Sequence, residues 1–271
     1  MAKEKSLLFK IGSVIAYLAM ITVNGLANGL PLNNRTTGAI SDAYPNLFAP
    51  AGVTFSIWGL IYALLAAYVI YQFIPLASGK FRVRQELFDK INPYFIATSL
   101  FNIVWIFTWH YDFIGASLLL MVLLLGALIK IADILRQENF SMVEKILVRL
   151  PFSVYFGWIS VATIANVTIF LVSVGWNGLG LSEELWLVAV LIIGTIIGLW
   201  RMKKDKNIPY GMVFIWAYSG ILIKHIAPNG FNRQYGYAIF TALVCILLFI
   251  VYQAMIARKP SSFLDKLREK F

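Results

Sequence analysis

The sequence predicts an all-α fold, a polytopic membrane helix bundle of about eight transmembrane helices. Of the 271 residues, 60% are hydrophobic and 13% are charged, whereas a soluble domain carries about 25% charged residues. The apolar residues fall in blocks of roughly 18–25, the length at which a helix crosses ~30 Å of hydrocarbon. Backbone groups must pair internally in that medium, which favours helices, and the alternating pattern of membrane β-strands is not seen.

The spans follow one another with short connections in most places. In order, they are predicted at about 8–28, 53–75, 92–109, 113–135, 148–174, 184–200, 209–226 and 236–257. The basic start of the chain precedes the first block without a convincing cleavage site, so an uncleaved first span is expected rather than a signal peptide. The third connection, His110 to Asp112, is so tight that spans three and four should form an antiparallel hairpin.

The segment from Asn28 to Gly52 is the exception, because it is long, polar and interrupted by three prolines. Long connections in compact proteins are often functional lids. A lid and an ordinary loop outside the membrane are equally good interpretations of this segment.

Basic residues support the span count, because the eight spans place twenty of the 23 lysines and arginines on one side. The other side keeps Arg35, Lys224 and Arg233. By the positive-inside rule, both termini are then cytoplasmic and the protein is a multi-pass protein of the cell membrane. The lipid bilayer is therefore the expected partner. The net charge of +10 does not indicate nucleic-acid binding, because no basic stripe or nucleic-acid motif accompanies it.

Signatures of hydrolytic or metal chemistry are missing from the sequence. Its two histidines, His110 and His225, form no zinc spacing, and acidic residues lie almost wholly in connections, which disfavours a proton-coupled pump. We therefore predict no catalytic and no metal-binding residues. Cys245 is expected to be a small buried hydrophobe, and Lys224 is expected to extend its amine to the membrane interface.

Aromatic and amide side chains recur instead at helical spacing within the spans. An amide in hydrocarbon needs a partner and should face the bundle interior, and a pocket of indole rings with a few amides suits a flat, largely apolar ligand. The candidate pocket residues are Trp58, Tyr62, Asn102, Trp105, Trp158, Asn166 and, as a weaker candidate, Asn24. Periodicity alone favours the simpler interpretation, in which these rings are packing or interfacial residues and the amides are interhelical contacts. The GxxxG pairs Gly25–Gly29 and Gly194–Gly198 permit close helix approach.

Three blocks of these residues resemble the TspO/MBR family, the tryptophan-rich sensory proteins related to the mitochondrial translocator protein. Residues 45–50 (PNLFAP) leading into 55–62 (FSIWGLIY) look like the family's proline-bearing loop and VWxxLY span. Residues 102–105 (NIVW) are similar to its NxxW motif, and residues 158–166 (WISVATIAN) to its WVSFAxxLN motif. The resemblance covers roughly residues 7–176. The chain departs from the family in having no tryptophan between Asn28 and Gly52 and three further spans.

What the resemblance implies is a five-helix bundle whose cavity, under the first loop, binds porphyrins, other tetrapyrroles or sterol-like lipids. A tetrapyrrole ligand and a homodimer are thus expectations at the family level. The implied domains are a TspO-like bundle at 1–176, three additional helices at 177–257 and a basic cytoplasmic tail at 258–271. The leading hypothesis is a membrane sensor or carrier, and the alternatives are a secondary transporter of a small amphipathic solute, a porphyrin-degrading enzyme, or a scaffold without a sealed cavity.

Overall fold

The computed structural model describes residues 2–73 and 84–258, and within these residues all regular structure is helical. The helices are α1 (Ala2–Gly29), α2 (Thr37–Asp42), α3 (Ile57–Tyr71), α4 (Gln85–His110), α5 (Ile114–Arg136), α6 (Met142–Glu144), α7 (Leu150–Ser173), α8 (Glu183–Asp205), α9 (Ile208–Ile226) and α10 (Gly236–Ala257). A π-helical turn, Lys145–Arg149, joins α6 to α7. The predicted cytoplasmic cations Lys80 and Arg82 and the basic tail beyond Arg258 lie outside the described residues.

Seven helices of the described ranges are long and apolar enough to cross a membrane, which confirms the polytopic helical fold. The predicted seventh span forms α9, but it falls outside this set. Polar and aromatic residues, among them Tyr210, Lys224 and His225, lower the mean hydropathy of its 19 residues. The orientation of the termini remains a prediction.

Several predicted boundaries were wrong by one to two helical turns. Helix α4 begins at Gln85, ahead of the predicted residue 92, and α8 continues to Asp205 beyond the predicted residue 200. Hydropathy detects the apolar part of a helix, whereas the charged turns at its end continue the same backbone pattern. The predicted span 53–75 begins as a 3₁₀ turn at Gly52–Ser56 and ends as an α-helix at Tyr71.

The first five long helices form a closed ring. In this ring α1 packs against α3 and α4, α4 against α5, α5 against α7, and α7 against α3. The remaining three helices join the ring mainly through α9, which packs against both α7 and α10. Glycine makes the α7–α9 contact possible: a Cβ atom on Gly157 would lie 2.9 Å from the carbonyl oxygen of Tyr210 and from Cβ of Val213.

The two GxxxG pairs behave differently. A Cβ atom on Gly198 would lie 2.7 Å from the ring of Phe249 and 3.0 Å from that of Phe214, so this α8 glycine does allow close approach of α9 and α10. Gly25 and Gly29 have no heavy atom of the described chain within 4 Å of such a position. The prediction therefore holds for the second pair and not, within this chain, for the first.

Asp133 of α5 and Asp205 of α8 lie near the C-terminal ends of their helices and are joined by one arginine. Arg201 of α8 donates from Nε to Asp205 Oδ2 at 2.6 Å and from Nη2 to Asp133 Oδ1 of α5 at 2.9 Å. Arg201 and Asp205 are both almost fully buried, and the guanidinium lies 5.1 Å above the ring of Phe156. The prediction that acidic residues lie almost wholly in connections missed this network.

Candidate functional site

The connection between α1 and α3, residues 30–51, lies across one end of the ring; we call it the lid. Its helix α2 begins after Thr36, whose hydroxyl accepts a hydrogen bond from the Ala39 N–H at 3.2 Å, and such a cap stabilises a helix start. The indole N–H of Trp109 on α4 donates to the Thr37 carbonyl oxygen at 3.1 Å. This bond fixes α2 over the end of α4.

A second set of contacts ties the lid to the turn between α4 and α5. The Asn33 amide donates to the His110 carbonyl oxygen at 2.8 Å, Arg35 forms an ion pair with Asp112, and the Tyr44 hydroxyl donates to Asp112 at 3.2 Å. The hydrogen bond to Asp112 raises the pKa of the Arg35 guanidinium. Burial, helped by the charge of Asp112, raises the pKa of Tyr44, so both groups keep their protons and this corner stays paired at neutral pH.

Helix α9 holds the lid from the opposite side. Lys224 Nζ lies 3.2 Å from Asp42 Oδ1 at the end of α2. Lys224, whose amine was predicted to extend to the membrane interface, thus also forms an ion pair with the lid. His225 Nε2 lies 3.0 Å from the Leu47 carbonyl oxygen, and since a carbonyl only accepts, this nitrogen carries the proton.

Helix α9 also fixes the point where the lid enters α3. The Ala51 N–H donates to the Gly220 carbonyl oxygen at 3.0 Å, and the indole of Trp216 donates to the Thr54 carbonyl oxygen at 2.9 Å. A side chain at Gly220 would overlap that of Thr54, so glycine is required for the helix to approach this closely.

Aromatic rings from α3, α4 and α7 lie beneath the lid. The ring of Trp58 stacks on Tyr62 at a centroid distance of 5.5 Å and meets Trp158 edge-on at 6.2 Å. On α4, Trp105 stacks on Trp109 at 5.4 Å. Aromatic residues that were predicted to share one face of a helix thus have their rings in contact.

The three candidate amides are buried, as predicted for amides within a membrane. The Asn24 amide donates to Asn102 Oδ1 at 2.6 Å, joining α1 to α4. Asn166 accepts from the Ser117 hydroxyl at 3.2 Å, joining α7 to α5. The amides therefore connect helices, and Asn24 and Asn166 also line cavities.

Two adjoining cavities lie within this aromatic cluster, with volumes of about 340 Å³ and about 50 Å³. Both are lined by Trp58, Trp105, Phe55 and the lid residue Thr37. We call the pair the central cavity. Six of the seven candidate residues line it, namely Asn24, Trp58, Tyr62, Trp105, Trp158 and Asn166. Asn102 does not line it and instead supports Asn24 from behind.

Several buried donors at the central cavity have no hydrogen-bond partner among the described residues. They are the indole N–H groups of Trp105 and Trp158 and the hydroxyls of Thr37 and Tyr62. Buried polar groups are normally paired, so unpaired donors that line one apolar cavity mark a place where a ligand with acceptor atoms gains hydrogen bonds. Among the described residues, no group of three or more His, Cys, Asp or Glu side chains could hold a metal ion.

Sequence reasoning missed the contribution of α9 to this cavity. Ala217 and Ile221, both almost fully buried, line its smaller part. One signal was available in retrospect: Trp216, Gly220 and Lys224 are spaced by four, which places an indole, a glycine and a charge on one face of an otherwise apolar helix.

The comparisons with known proteins agree with this architecture. Neither the curated proteins nor the solved structures gave a significant match. A family model described as TSPO-like protein matches residues 10–255, a range that runs from α1 into α10 and so includes the three C-terminal helices. The match spans most of the chain, and the multi-pass helical bundle fits it. This chain belongs to the TSPO-like protein family.

Proposed function

We propose that the protein binds a flat, largely apolar ligand in the central cavity and acts as a membrane sensor or carrier for it. The observation that carries this proposal is the lining of the cavity. Indoles from three helices, Trp58, Trp105 and Trp158, line one space that a tethered lid covers. Ligand sites are typically apolar and aromatic, with a few polar groups that fix orientation.

The unpaired donors indicate which polar groups the ligand carries. A planar ring system can contact the faces and edges of the indoles, and acceptor atoms on its rim can satisfy Trp105, Trp158 and Tyr62. Each such bond contributes about 1 kcal/mol, and more where the donor is otherwise buried unpaired. A scaffold protein has no use for such a cavity, so this arrangement favours a binding function over a purely structural one.

The candidate ligand classes are tetrapyrroles and sterol-like lipids. No lysine or arginine lines the described part of the cavity, so the carboxylates of a tetrapyrrole would have to reach cations outside it, and the lid-side cations Arg35 and Lys224 already pair with Asp112 and Asp42. A sterol presents one hydroxyl and requires no cation. The larger part, about 340 Å³, lies near the lower end of the ~300–1,000 Å³ typical of small-molecule sites, so a tetrapyrrole requires the lid to move outward.

Titration of the purified protein with protoporphyrin IX, following tryptophan fluorescence, tests the tetrapyrrole class. We expect saturable quenching that weakens in Trp58→Phe and is unchanged in Trp200→Phe, because Trp200 is 59% exposed on the outside of α8. An unchanged signal up to high micromolar porphyrin excludes this class. Displacement of the bound porphyrin by a sterol then tests the second ligand class at the same site.

Ligand flux separates a carrier from a sensor. Proteoliposomes loaded with the bound compound release it at a rate that depends on the protein if the protein is a carrier. A sensor binds the compound with the same affinity, but the release rate stays at that of loaded liposomes without the protein.

A further inference from the structure

A second cavity, which neither the family match nor the central cavity accounts for, lies between α7, α8 and the lid. Its volume is about 510 Å³. Ile164, Val167 and Leu171 of α7 form one wall, and residues 45–48 of the lid close the side towards the ring. The side chain of Phe48 lines this cavity on one side and the central cavity on the other.

The chemistry of this α7–α8 cavity changes with depth. Its α8 wall carries Glu183, Trp186, Val190 and Ile193 in that order, and at 1.5 Å per residue these positions cover about 15 Å along the helix. Glu183 is at the first turn of α8, at the same end of the bundle as the lid, and its side chain is exposed. Val190 and Ile193 lie well within the apolar part of the helix. The cavity is therefore charged at its mouth and apolar at its base.

A pair of indoles stands between these two zones. The rings of Trp176 and Trp186 lie 4.7 Å apart at an angle of 41°, and both line the cavity. In the described part of the chain, neither indole N–H takes part in a hydrogen bond, and the Glu183 carboxylate has no ion-pair partner. Indoles favour the level of lipid headgroups, where the ring is apolar and the N–H is wet.

We propose that the α7–α8 cavity binds one zwitterionic phospholipid, whose headgroup carries an ammonium group. An acyl chain fills the apolar base beside Val190, the indole N–H groups of Trp176 and Trp186 donate to ester or phosphate oxygens, and the ammonium group pairs with Glu183. Glu183 is the one charged residue among those that line the described cavity. The negative charge of Glu183 disfavours anionic lipids, and a sterol has no cationic group that could pair with this carboxylate.

Native mass spectrometry of the detergent-purified full chain tests the proposal, using phosphatidylethanolamine and phosphatidylglycerol with identical acyl chains. We expect one retained phosphatidylethanolamine, preferred over phosphatidylglycerol by up to about fivefold, the size of an exposed ion pair. Glu183→Gln should retain lipid but lose this preference. Val190→Trp, which fills the base of the cavity, should lose the lipid.

Ile196→Trp is the matched control, because it adds the same indole to the same helix at a position that is 62% exposed and does not line the cavity. It should retain the lipid as the unmodified protein does. Equal retention by Val190→Trp and Ile196→Trp, or a wild-type protein without headgroup preference, overturns the proposal. Porphyrin quenching measured on the same samples reports the central cavity separately, and circular dichroism confirms that each variant is folded.

Discussion

His225 Nε2 of α9 donates a hydrogen bond to the carbonyl oxygen of Leu47, which lies 178 positions earlier in the chain, at 3.0 Å. One residue before it, Lys224 pairs with Asp42 at the end of α2. The lid thus belongs to the N-terminal part of the sequence, and the C-terminal part helps to hold it in place. Closure of the central cavity depends on both.

Replacing His225 by Phe should loosen the lid without unfolding the bundle. The new ring keeps the packing against Phe231, whose centroid lies 4.7 Å away, but the donor to Leu47 is lost. We expect a loss of about 1 kcal/mol in the free energy of unfolding and faster amide hydrogen exchange in the lid, measured by mass spectrometry. His110→Phe is the control, because its ring bonds within its own helix, to Ile106. Equal lid exchange in both variants would contradict the prediction.

Replacing Gly220 by Ala should displace α9 from the start of α3. The added methyl group overlaps the side chain of Thr54, and overpacking of this kind costs about 1–3 kcal/mol. The thermal unfolding midpoint should fall accordingly. Gly25→Ala places the same methyl group on a helix where no described atom lies within 4 Å, so it should leave the midpoint unchanged or raise it. A Gly220→Ala protein as stable as wild type would show that the contact is not tight.

Replacing Trp158 by Phe should weaken ligand binding by about fivefold. The substitution keeps a ring in the cavity wall but removes an N–H that has no partner in the described protein, and such a bond contributes about 1 kcal/mol. The measurement is the dissociation constant of the porphyrin or sterol that binds. Trp200→Phe should bind as wild type does, and identical constants for the two variants would remove Trp158 from the site.

Replacing Arg201 by Leu should destabilise the bundle strongly. Asp205 is then left buried beside Asp133, with Arg136 at 3.5 Å as its nearest remaining cation, and breaking a buried pair typically costs about 3–5 kcal/mol. Unfolding by denaturant measures this loss. The double variant Arg201→Leu with Asp205→Leu should recover much of it, because both buried charges are removed. A double variant less stable than the single one would contradict this account.

Local chemistry within the spans allowed much of the geometry of the candidate site to be predicted. Asn24 and Asn166 had to face inwards, because an amide in hydrocarbon needs a partner, and Trp58 with Tyr62 had to share a face because of their spacing by four. The tight turn at His110 correctly placed α4 beside α5. Each of these predictions depends on residues close together in sequence.

The contacts made by α9 could not be predicted in this way. Which distant backbone oxygen His225 meets depends on how α9 docks on α7, and the period of a helix carries no information on its partner. The α7–α9 contact depends on the absence of a side chain at Gly157, and in the sequence this glycine is one of 19. Asp205 was likewise placed in a connection, because its partner Arg201 becomes apparent only when α8 is seen to continue.

Ala217 and Ile221 form a wall of the central cavity from outside the five-helix ring. Under the proposed function, ligand choice therefore has an evolutionary route that leaves the ring untouched. Exchanging a small residue for a large one at position 217 reshapes the cavity while every residue of the tryptophan-bearing motifs stays the same. Members of the family that carry α9 are thus expected to differ in ligand because of substitutions in this helix. A comparison of the motifs in the first five spans does not detect such substitutions.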